Sequence, residues 1–298
     1  MSASLYVFSF YRFVPLSNLD TLQTELQAQA VANNLLGTIL LASEGINGSV
    51  VGARAAIEAF IEAISVHGKI AGLSGRWTRA HQAPFKRMRV KLREEIVTMG
   101  QPGINPAAGT GKHVDAQTWN ELLQDDNVIV LDTRNDYEIE IGSFPGALDP
   151  KTNSFRDFPA YVEANLESLR TQPVAMFCTG GIRCEKASAL LLERGCKEVY
   201  QLDGGILAYL DSVDDEQNLW DGECFVFDSR VAVDATLEPG HHVQCHACRR
   251  PLSPRDLASE LYEEGLSCPA CFGKVDAEKL AALRERRKQN ALRRQREG

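Results

Sequence analysis

The stretch Cys178-Thr179-Gly180-Gly181-Ile182-Arg183-Cys184, here called the cysteine loop, separates a predicted strand from a predicted helix. The apolar run Val174–Phe177 before it predicts a buried strand. Residues 185–195 after it have helical apolar spacing and end in a glycine, which is typical of a helix C-terminus. A strand, a glycine-containing turn and a helix in this order predict a mainly parallel α/β sheet, with its site at the C-terminal ends of the strands.

The cysteine loop also has the features that activate a thiol. Backbone N–H groups of a glycine turn and of a helix N-terminus favour an anion, and Arg183 adds a positive charge. Both effects lower a thiol pKa, so we predict Cys178 as the nucleophile. Cys184 is a candidate resolving thiol, or it packs at the start of the helix. The alternative is that Cys178 is a small buried cysteine beside a tight turn. The predicted anion-binding loop consists of Thr179, Gly180, Gly181 and Ile182.

The composition limits the classes of protein to consider. A chain of 298 residues is long enough for two or three domains. No apolar run is long enough for a transmembrane helix, and the N-terminus lacks the pattern of a signal peptide. Eight cysteines, partly in C-x-x-C pairs, indicate metal or thiol chemistry in a reducing compartment. We therefore expect a cytoplasmic protein without a membrane partner.

Charge is distributed unevenly along the chain. Residues 1–95 carry a net charge of +3, residues 96–243 carry −15 and residues 244–298 carry +4. Basic ends around an acidic middle fit a polyanionic partner such as a nucleic acid. The alternative is that both ends are ordinary solvated surfaces.

Residues 1–98 alternate between strand and helix patterns. The predicted order β-α-β-β-α-β fits a ferredoxin-like, acylphosphatase-like module. Residues 44–49 are predicted as turn chemistry. The run from position 76 to 93 interleaves basic residues with aromatic ones, a composition that suits phosphate contact and base stacking. A plain solvated strand face is the alternative. The candidate RNA-binding residues are Arg76, Arg79, Lys86, Arg87 and Arg89.

The rest of the chain divides by composition. Residues 99–112 are rich in glycine, proline and small residues and are predicted as a linker. Residues 113–219 have the α/β pattern, with helices expected at 116–123 and 155–169. Residues 220–275 form a cysteine-rich module, and residues 276–298 a basic helical tail.

Two C-x-x-C pairs lie in the cysteine-rich module, with 19 residues between them. This spacing predicts a tetrahedral structural zinc site, because two such turns let four thiolates converge on one ion. A set of free thiols is the alternative. The predicted ligands, here called the four-cysteine cluster, are Cys245, Cys248, Cys268 and Cys271.

Several motifs together resemble a rhodanese domain. They are Asp132-Thr133-Arg134, Tyr137-Glu138, residues 142–147, the cysteine loop and Leu202-Asp203-Gly204-Gly205. The resemblance implies that Cys178 carries a persulfide or acts as a thiolate, in an anionic pocket shaped by the loop amides and Arg183. The sequence departs from the family pattern at Ser143-Phe144, where histidine and isoleucine are usual, and at Cys184, where many sulfurtransferases have serine.

The whole arrangement resembles the bacterial rhodanese-domain tRNA uridine hydroxylase family, over nearly the full chain. The most specific residues are 43–48, 85–88, 178–186 and 245–271. The resemblance implies oxygen-dependent formation of 5-hydroxyuridine at the wobble position (position 34) of tRNA. Dioxygen is then a cosubstrate, the partners are a tRNA anticodon loop and an electron donor of unknown identity, and no organic cofactor is recognised. The alternatives are a thiosulfate or persulfide sulfurtransferase and a non-catalytic RNA-binding protein on a rhodanese scaffold.

Overall fold

The N-terminal module is a five-stranded sheet with two helices on one face. The computed structural model describes residues 5–297; residues 1–4 and Gly298, which fall in the first predicted module and in the predicted tail, lie outside that range. The sheet order is β4-β1-β3-β2-β5, antiparallel except for the parallel pair β2 and β5. The elements are β1 Leu5–Phe13, α1 Leu19–Ala32, β2 Leu36–Ala42, β3 Gly45–Ala53, α2 Arg54–Ile64, β4 Gly75–Ala80 and β5 Met88–Leu92.

This sheet confirms the ferredoxin-like prediction, and its fifth strand β5 pairs with β2 at one edge. Strand residues alternate between the two faces. Phe8, Ile39 and Val50 face the helices and are buried with them in one core. The prediction of a turn at residues 44–49 is wrong beyond Glu44, because Gly45 begins the central strand β3. The turn itself is only two residues long, and the glycines let β3 pair closely on both sides.

The central α/β region is built on a four-stranded parallel sheet of order β6-β10-β9-β7. Helices cover both faces, so the strands are apolar along their length. Leu131 and Met176 pack on one side, and Ala175 and Phe177 on the other. The elements are β6 Lys112–Val114, α3 Ala116–Leu123, β7 Ile129–Asp132, α4 Asp136–Ile139, β8 Gly142–Ser143, α5 Phe158–Ala164, α6 Leu166–Thr171, β9 Val174–Phe177, α7 Ile182–Glu193, β10 Val199–Leu202 and α8 Gly205–Ser212.

Two details differ from the sequence prediction. The single helix expected at 155–169 is a short 3₁₀ turn followed by α5 and α6, with the break at Asn165. Helix α7 begins at Ile182 rather than at position 185, so Arg183 and Cys184 belong to its first turn. The second difference matters for the site, because it places the amides of these residues at a helix N-terminus.

The remaining residues form small two-stranded pairings and a long terminal helix. A fourth apolar cluster here includes the four cysteines, Leu252, Leu266 and Leu283. Arg250 links this module to the central α/β region through Asp136 and Glu140. Within residues 5–297, no helix has both the length and the apolar character to cross a membrane. The elements are β11 Asp221–Gly222, β12 Cys224–Phe225, β13 Ala232–Val233, β14 Val243–Gln244, β15 Pro251–Leu252, α9 Pro254–Leu257 and α10 Ala277–Glu297.

Candidate active site

The cysteine loop follows the C-terminal end of β9, as predicted. Cys178 comes directly after the strand, and α7 begins four residues later. Gly181 has a φ of +92°, a conformation that favours glycine, and its amide donates a hydrogen bond to the Cys178 Sγ at 3.1 Å. Cys178 itself is only 1% exposed. The loop therefore wraps its amides around a buried sulfur.

Gly205, 27 positions after Cys178, begins helix α8 and lies against the backbone of the cysteine loop. The amides of Ile206 and Leu207 donate hydrogen bonds to the carbonyls of Cys178 and Thr179 at 3.0 and 3.1 Å. A β-carbon on Gly205 would lie 2.4 Å from the Cys178 carbonyl oxygen. Backbone cannot give way at that distance, so this contact requires glycine. The motif at 202–205 thus supports the loop directly.

Arg183 does not offer a free charge to a ligand. Its two terminal nitrogens bind both oxygens of Glu138 at 2.6 and 2.8 Å, and both side chains are buried. The prediction that Arg183 shapes an anionic pocket therefore needs correction. Because bidentate pairing occupies its guanidinium fork, Arg183 acts on Cys178 through its field rather than by binding a substrate anion.

The local electrostatics favour a thiolate at Cys178 over one at Cys184. Burial opposes ionisation of Cys178, but hydrogen bonding by the Cys184 thiol, the charge of Arg183 and the amides of both residues lower its pKa to about 6. Burial raises the pKa of Cys184, and the adjacent Cys178 thiolate raises it further. Cys184 also contacts Thr133 Oγ1 at 3.6 Å. The structure thus places the candidate resolving thiol behind Cys178 as a protonated donor.

The motif Asp132-Thr133-Arg134 and the departure at Ser143 belong together. The Asp132 and Arg134 side chains form a fully buried ion pair, with the closest N···O distance 2.6 Å. The Ser143 hydroxyl donates to Asp132 Oδ2 at 3.0 Å. Phe144, beside it, packs edge-to-face against Phe177 and Trp220. These residues build the wall behind the loop and leave its sulfur as the reactive group.

A cleft of about 1220 Å³ opens in front of Cys178. One wall is the cysteine loop, and the other is the sheet face of the N-terminal module that carries no helices. Ser9, Asn47 and Ser49 give that face a polar character. At the rim, Phe227 is 64% exposed, and the Arg183 guanidinium lies 5.7 Å from its ring centroid. The cleft therefore offers polar, aromatic and thiol groups together.

The two modules are joined by the helix that carries the loop. Lys186 on α7 is 2% exposed and binds Glu44 at 2.7 Å and Glu95 at 2.5 Å. Both carboxylates come from the N-terminal module. On the other side of the cleft, Arg76 reaches Asp211 at 3.4 Å. These ion pairs fix the sheet face over the loop.

The structure divides the candidate RNA-binding residues. Arg76 and Arg89 lie on the open face of the sheet, on its two edge strands β4 and β5. Arg79 follows the alternation to the helix-covered side and is exposed there. Lys86 and Arg87 are exposed just before β5. The lining of the cleft therefore includes Arg76 but not the whole predicted set.

The four-cysteine cluster comes together as predicted. The four ligand atoms lie within 4.8 Å of one another. Individual Sγ···Sγ distances are 3.6 Å for Cys248 to Cys268, 3.6 Å for Cys268 to Cys271 and 4.0 Å for Cys245 to Cys271. Sulfurs at ~2.3 Å from a tetrahedral zinc ion lie ~3.8 Å apart, so the donor set and spacing fit zinc. A metal here would be structural, because all four positions are protein ligands.

Comparison with known families agrees with this architecture. Residues 5–96 match the UPF0176 acylphosphatase-like domain, and residues 115–212 match the rhodanese-like domain. The chain has the domain architecture of the UPF0176 family. The resemblance drawn from the sequence motifs is thereby confirmed at the level of the family.

Solved structures match single modules of this UPF0176-type chain. A rhodanese-like domain of an Anabaena protein is 20% identical and covers 37% of this chain and 78% of its own, with a TM-score of 0.31. A single-domain sulfurtransferase of Saccharomyces cerevisiae is 16% identical, covering 34% and 89% with a TM-score of 0.29. A Coxiella burnetii acylphosphatase is 14% identical, covering 30% and 92% with a TM-score of 0.21. At these scores the likenesses say nothing about activity.

Three residues at this site were not assigned a role from the sequence. Glu138 was noted only as part of a motif, and its pairing with Arg183 links positions 45 residues apart. Tyr11 and Glu185 were not singled out at all, although they form a hydrogen bond of 3.0 Å beside the loop. The available sequence signal for Glu185 was its position in the first turn of the helix that follows the nucleophile. Nothing in the sequence pointed to Tyr11, which arrives from another module.

Proposed function

We propose that this protein hydroxylates the wobble uridine, position 34 of tRNA, to 5-hydroxyuridine in an oxygen-dependent reaction at Cys178. At the coarser level, the rhodanese-like domain indicates an enzyme of the sulfurtransferase or oxidoreductase type. The observation that carries the finer proposal is the cleft: an activated thiol faces a polar sheet of a second module across about 1220 Å³. Pockets for small molecules measure about 300–1000 Å³, so this cleft has room for a nucleoside and its phosphates.

The chemistry follows from the electronic structure of uracil. C6 is electrophilic through conjugation with the C4 carbonyl, and the Cys178 thiolate adds there. The addition leaves C5 as an enolate-type carbon nucleophile, which forms the bond to oxygen. Dioxygen supplies one oxygen atom, and two electrons from the donor, with two protons, reduce the other to water. Loop amides and the field of Arg183 stabilise the thiolate that leaves at the end.

The substrate base must be unpaired to reach the sulfur. An anticodon-loop nucleotide satisfies this condition, because such bases are splayed out without breaking a helix. Phe227 at the rim gives a flat apolar surface for a neighbouring base. Arg76, which pairs with Asp211 at 3.4 Å, adds a positive charge to the same cleft. The exposed basic residues Lys86 and Arg87 add to the attraction for an RNA backbone.

Nucleoside mass spectrometry tests the proposal. A strain of the source organism that lacks the gene is complemented with the wild type, with Cys178→Ser, or with the matched control Cys196→Ala, and is grown under labelled dioxygen. Cys196 is also buried in the rhodanese domain, but it follows the C-terminal end of α7, whereas the loop precedes the N-terminal end of that helix. We expect labelled 5-hydroxyuridine with the wild type and Cys196→Ala, and none with Cys178→Ser. Persistence of the nucleoside in the deletion strain, or oxygen that comes from water, contradicts the proposal.

A sulfurtransferase is the second candidate, and the amide-lined sulfur favours it. Amides that point at Cys178 stabilise a persulfide as well as a thiolate. The purified protein is therefore assayed with thiosulfate and cyanide beside the tRNA analysis. Robust thiocyanate formation without any change in the tRNA nucleosides would assign Cys178 to sulfur transfer instead.

A further inference from the structure

A hydrogen-bonded group of side chains crosses the boundary between the two modules next to the cysteine loop. Tyr11 on β1 donates its hydroxyl hydrogen to Glu185 Oε1 at 3.0 Å. His113 Nε2 lies 3.1 Å from the same oxygen, and Gln201 Nε2 donates to Oε2 at 3.2 Å. The Glu185 side chain is 12% exposed. Three partners thus hold one carboxylate in a fixed orientation.

This group adjoins the nucleophile. A β-carbon on Gly181 would lie 2.8 Å from the Tyr11 hydroxyl oxygen, and the amide of the same glycine contacts Cys178 Sγ at 3.1 Å. Tyr11 and Cys178 also line the same cleft. The phenol oxygen therefore stands at the cleft side of the loop, within reach of a base bonded to the sulfur.

The direction of the hydrogen bond suits proton removal from a substrate. Burial, followed by the charge of Glu185, raises the pKa of Tyr11, so the phenol is neutral at physiological pH. A neutral hydroxyl that donates to a carboxylate can accept a proton from the substrate while it transfers its own proton to the carboxylate. Tyr11 can thus connect the cleft to Glu185 without being ionised at any stage.

We propose that Tyr11 and Glu185 form the proton relay that takes the hydrogen from C5 of the uracil ring. This inference rests on the proposed function, since it assumes that Cys178 is bonded to C6. In the step, the C5–H bond breaks and its electron pair forms the C5=C6 double bond. The C6–S bond breaks, and its electron pair returns to the sulfur of Cys178, which leaves as a thiolate. The C5 proton binds to the Tyr11 oxygen while the Tyr11 proton moves to Glu185.

Other charged groups near the loop are less suited to this role. Cys178 is the leaving group, and Arg183 is paired with Glu138. Asp203 lines the same cleft and is the rival carboxylate, but it is exposed. The groups that face Glu185 from the surrounding elements are Tyr11 on β1, His113 on β6 and Gln201 on β10.

Hydrogen exchange at C5 tests the relay without oxygen or an electron donor. The purified full chain is incubated anaerobically with tRNA that carries tritium at C5 of uridine. Addition of the thiolate at C6 lets C5 take a solvent proton, and elimination then releases tritium to water. General bases contribute about 10²–10⁴-fold, so we expect Tyr11→Phe and Glu185→Gln to lose about that factor. Binding of tRNA to a filter is expected to stay unchanged.

Two controls separate catalysis from structure. Tyr6→Phe changes another tyrosine of β1, which packs edge-to-face on Trp77, and is expected to release tritium at the wild-type rate. In Glu185→Ala, added formate is expected to restore part of the release in proportion to its concentration. A residue with only a structural role would show no such rescue.

The outcomes distinguish the relay from the function on which it rests. If the wild type releases no tritium, addition at C6 does not occur, and both the relay and that chemistry of the proposed function fail. If the wild type and Tyr11→Phe release tritium equally, the relay is overturned while the proposed function stands. If Asp203→Asn loses release and Glu185→Gln keeps it, Asp203 is the base and the relay is overturned.

Discussion

The four-cysteine cluster and the cysteine loop both gather thiols, but different groups surround the sulfur atoms. In the cluster, the sulfurs of Cys248 and Cys268 lie 3.6 Å apart, so sulfur meets sulfur. In the loop, the sulfur of Cys178 accepts hydrogen bonds from the Gly181 amide at 3.1 Å and from the protonated Cys184 thiol, and it lies in the field of Arg183. Thiolates that face one another need a cation between them, whereas a thiolate that faces amides is already stabilised. The first arrangement can hold a metal ion, and the second leaves one thiolate stabilised without a metal.

Metal removal should separate the two regions most strongly. Structural zinc contributes about 10–16 kcal/mol of binding free energy, which is folding free energy for a module of this kind. We expect a chelator to make residues 245–283 sensitive to protease and their cysteines open to alkylation. The alkylation rate of Cys178 should stay within about twofold of its rate before chelation. Its thiolate is stabilised by the loop amides, the Cys184 thiol and the charge of Arg183 rather than by a metal ion. A purified protein with less than about half an equivalent of zinc would count against the metal site.

Glu138→Gln should have the next largest effect, and it is confined to the loop. The change leaves the buried Arg183 without a counter-charge, which costs about 3–5 kcal/mol in the free energy of unfolding. The matched control is Glu163→Gln, whose partner Arg194 lies at the surface with 29% of its side chain exposed. That change should cost less than about 1 kcal/mol. Urea unfolding measures both, and equal losses would show that burial of the pair has no energetic role.

Lys186→Met tests the contact between the loop helix and the N-terminal module. It removes two charged hydrogen bonds and leaves Glu44 and Glu95 facing each other, at a cost of about 2 kcal/mol. Lys151→Met is the control, because that side chain is 81% exposed and pairs only with a near neighbour in sequence, Asp149. Thermal unfolding measures the difference. If the two variants melt together, the ion pairs do not hold the modules in place.

Cys184→Ala should have the smallest effect, on the pKa of Cys178. The cysteine removed is a hydrogen-bond donor to the thiolate, so its loss raises that pKa from about 6 by about one unit, or about 1.4 kcal/mol. The midpoint of the iodoacetamide reaction against pH should therefore move upward, and the rate below pH 7 should fall. Cys196→Ala is expected to leave the midpoint in place. A downward shift would mean that Cys184 opposes ionisation.

The sequence predicted those parts that depend on local pattern. The strand Val174–Phe177 and the helix Ala116–Leu123 have the predicted bounds, because their apolar spacing decides both the type and the ends. The four cysteines were found from spacing alone, since two C-x-x-C turns bring their sulfurs together whatever lies between them.

The remaining parts depend on distant partners. Glu44 begins the stretch expected to be a turn, but β3 starts right after it because strands on both sides pair with it. The positive charge of Arg183 was predicted, but its ion pair with Glu138 on a different helix was not. Tyr11 enters the site only because the two modules pack across the cleft. Periodicity and spacing carry no signal for such pairings.

The glycine at position 205 has a consequence for recognising active members of such families. The loop motif alone does not specify a working loop, because the space for the Cys178 carbonyl is left by a residue in a separate motif. A chain with the same seven loop residues and any side chain at position 205 would have to displace backbone, because its β-carbon would lie 2.4 Å from the Cys178 carbonyl oxygen. A search pattern that pairs the two motifs should therefore distinguish chains that retain the reactive thiol from those that retain only its sequence.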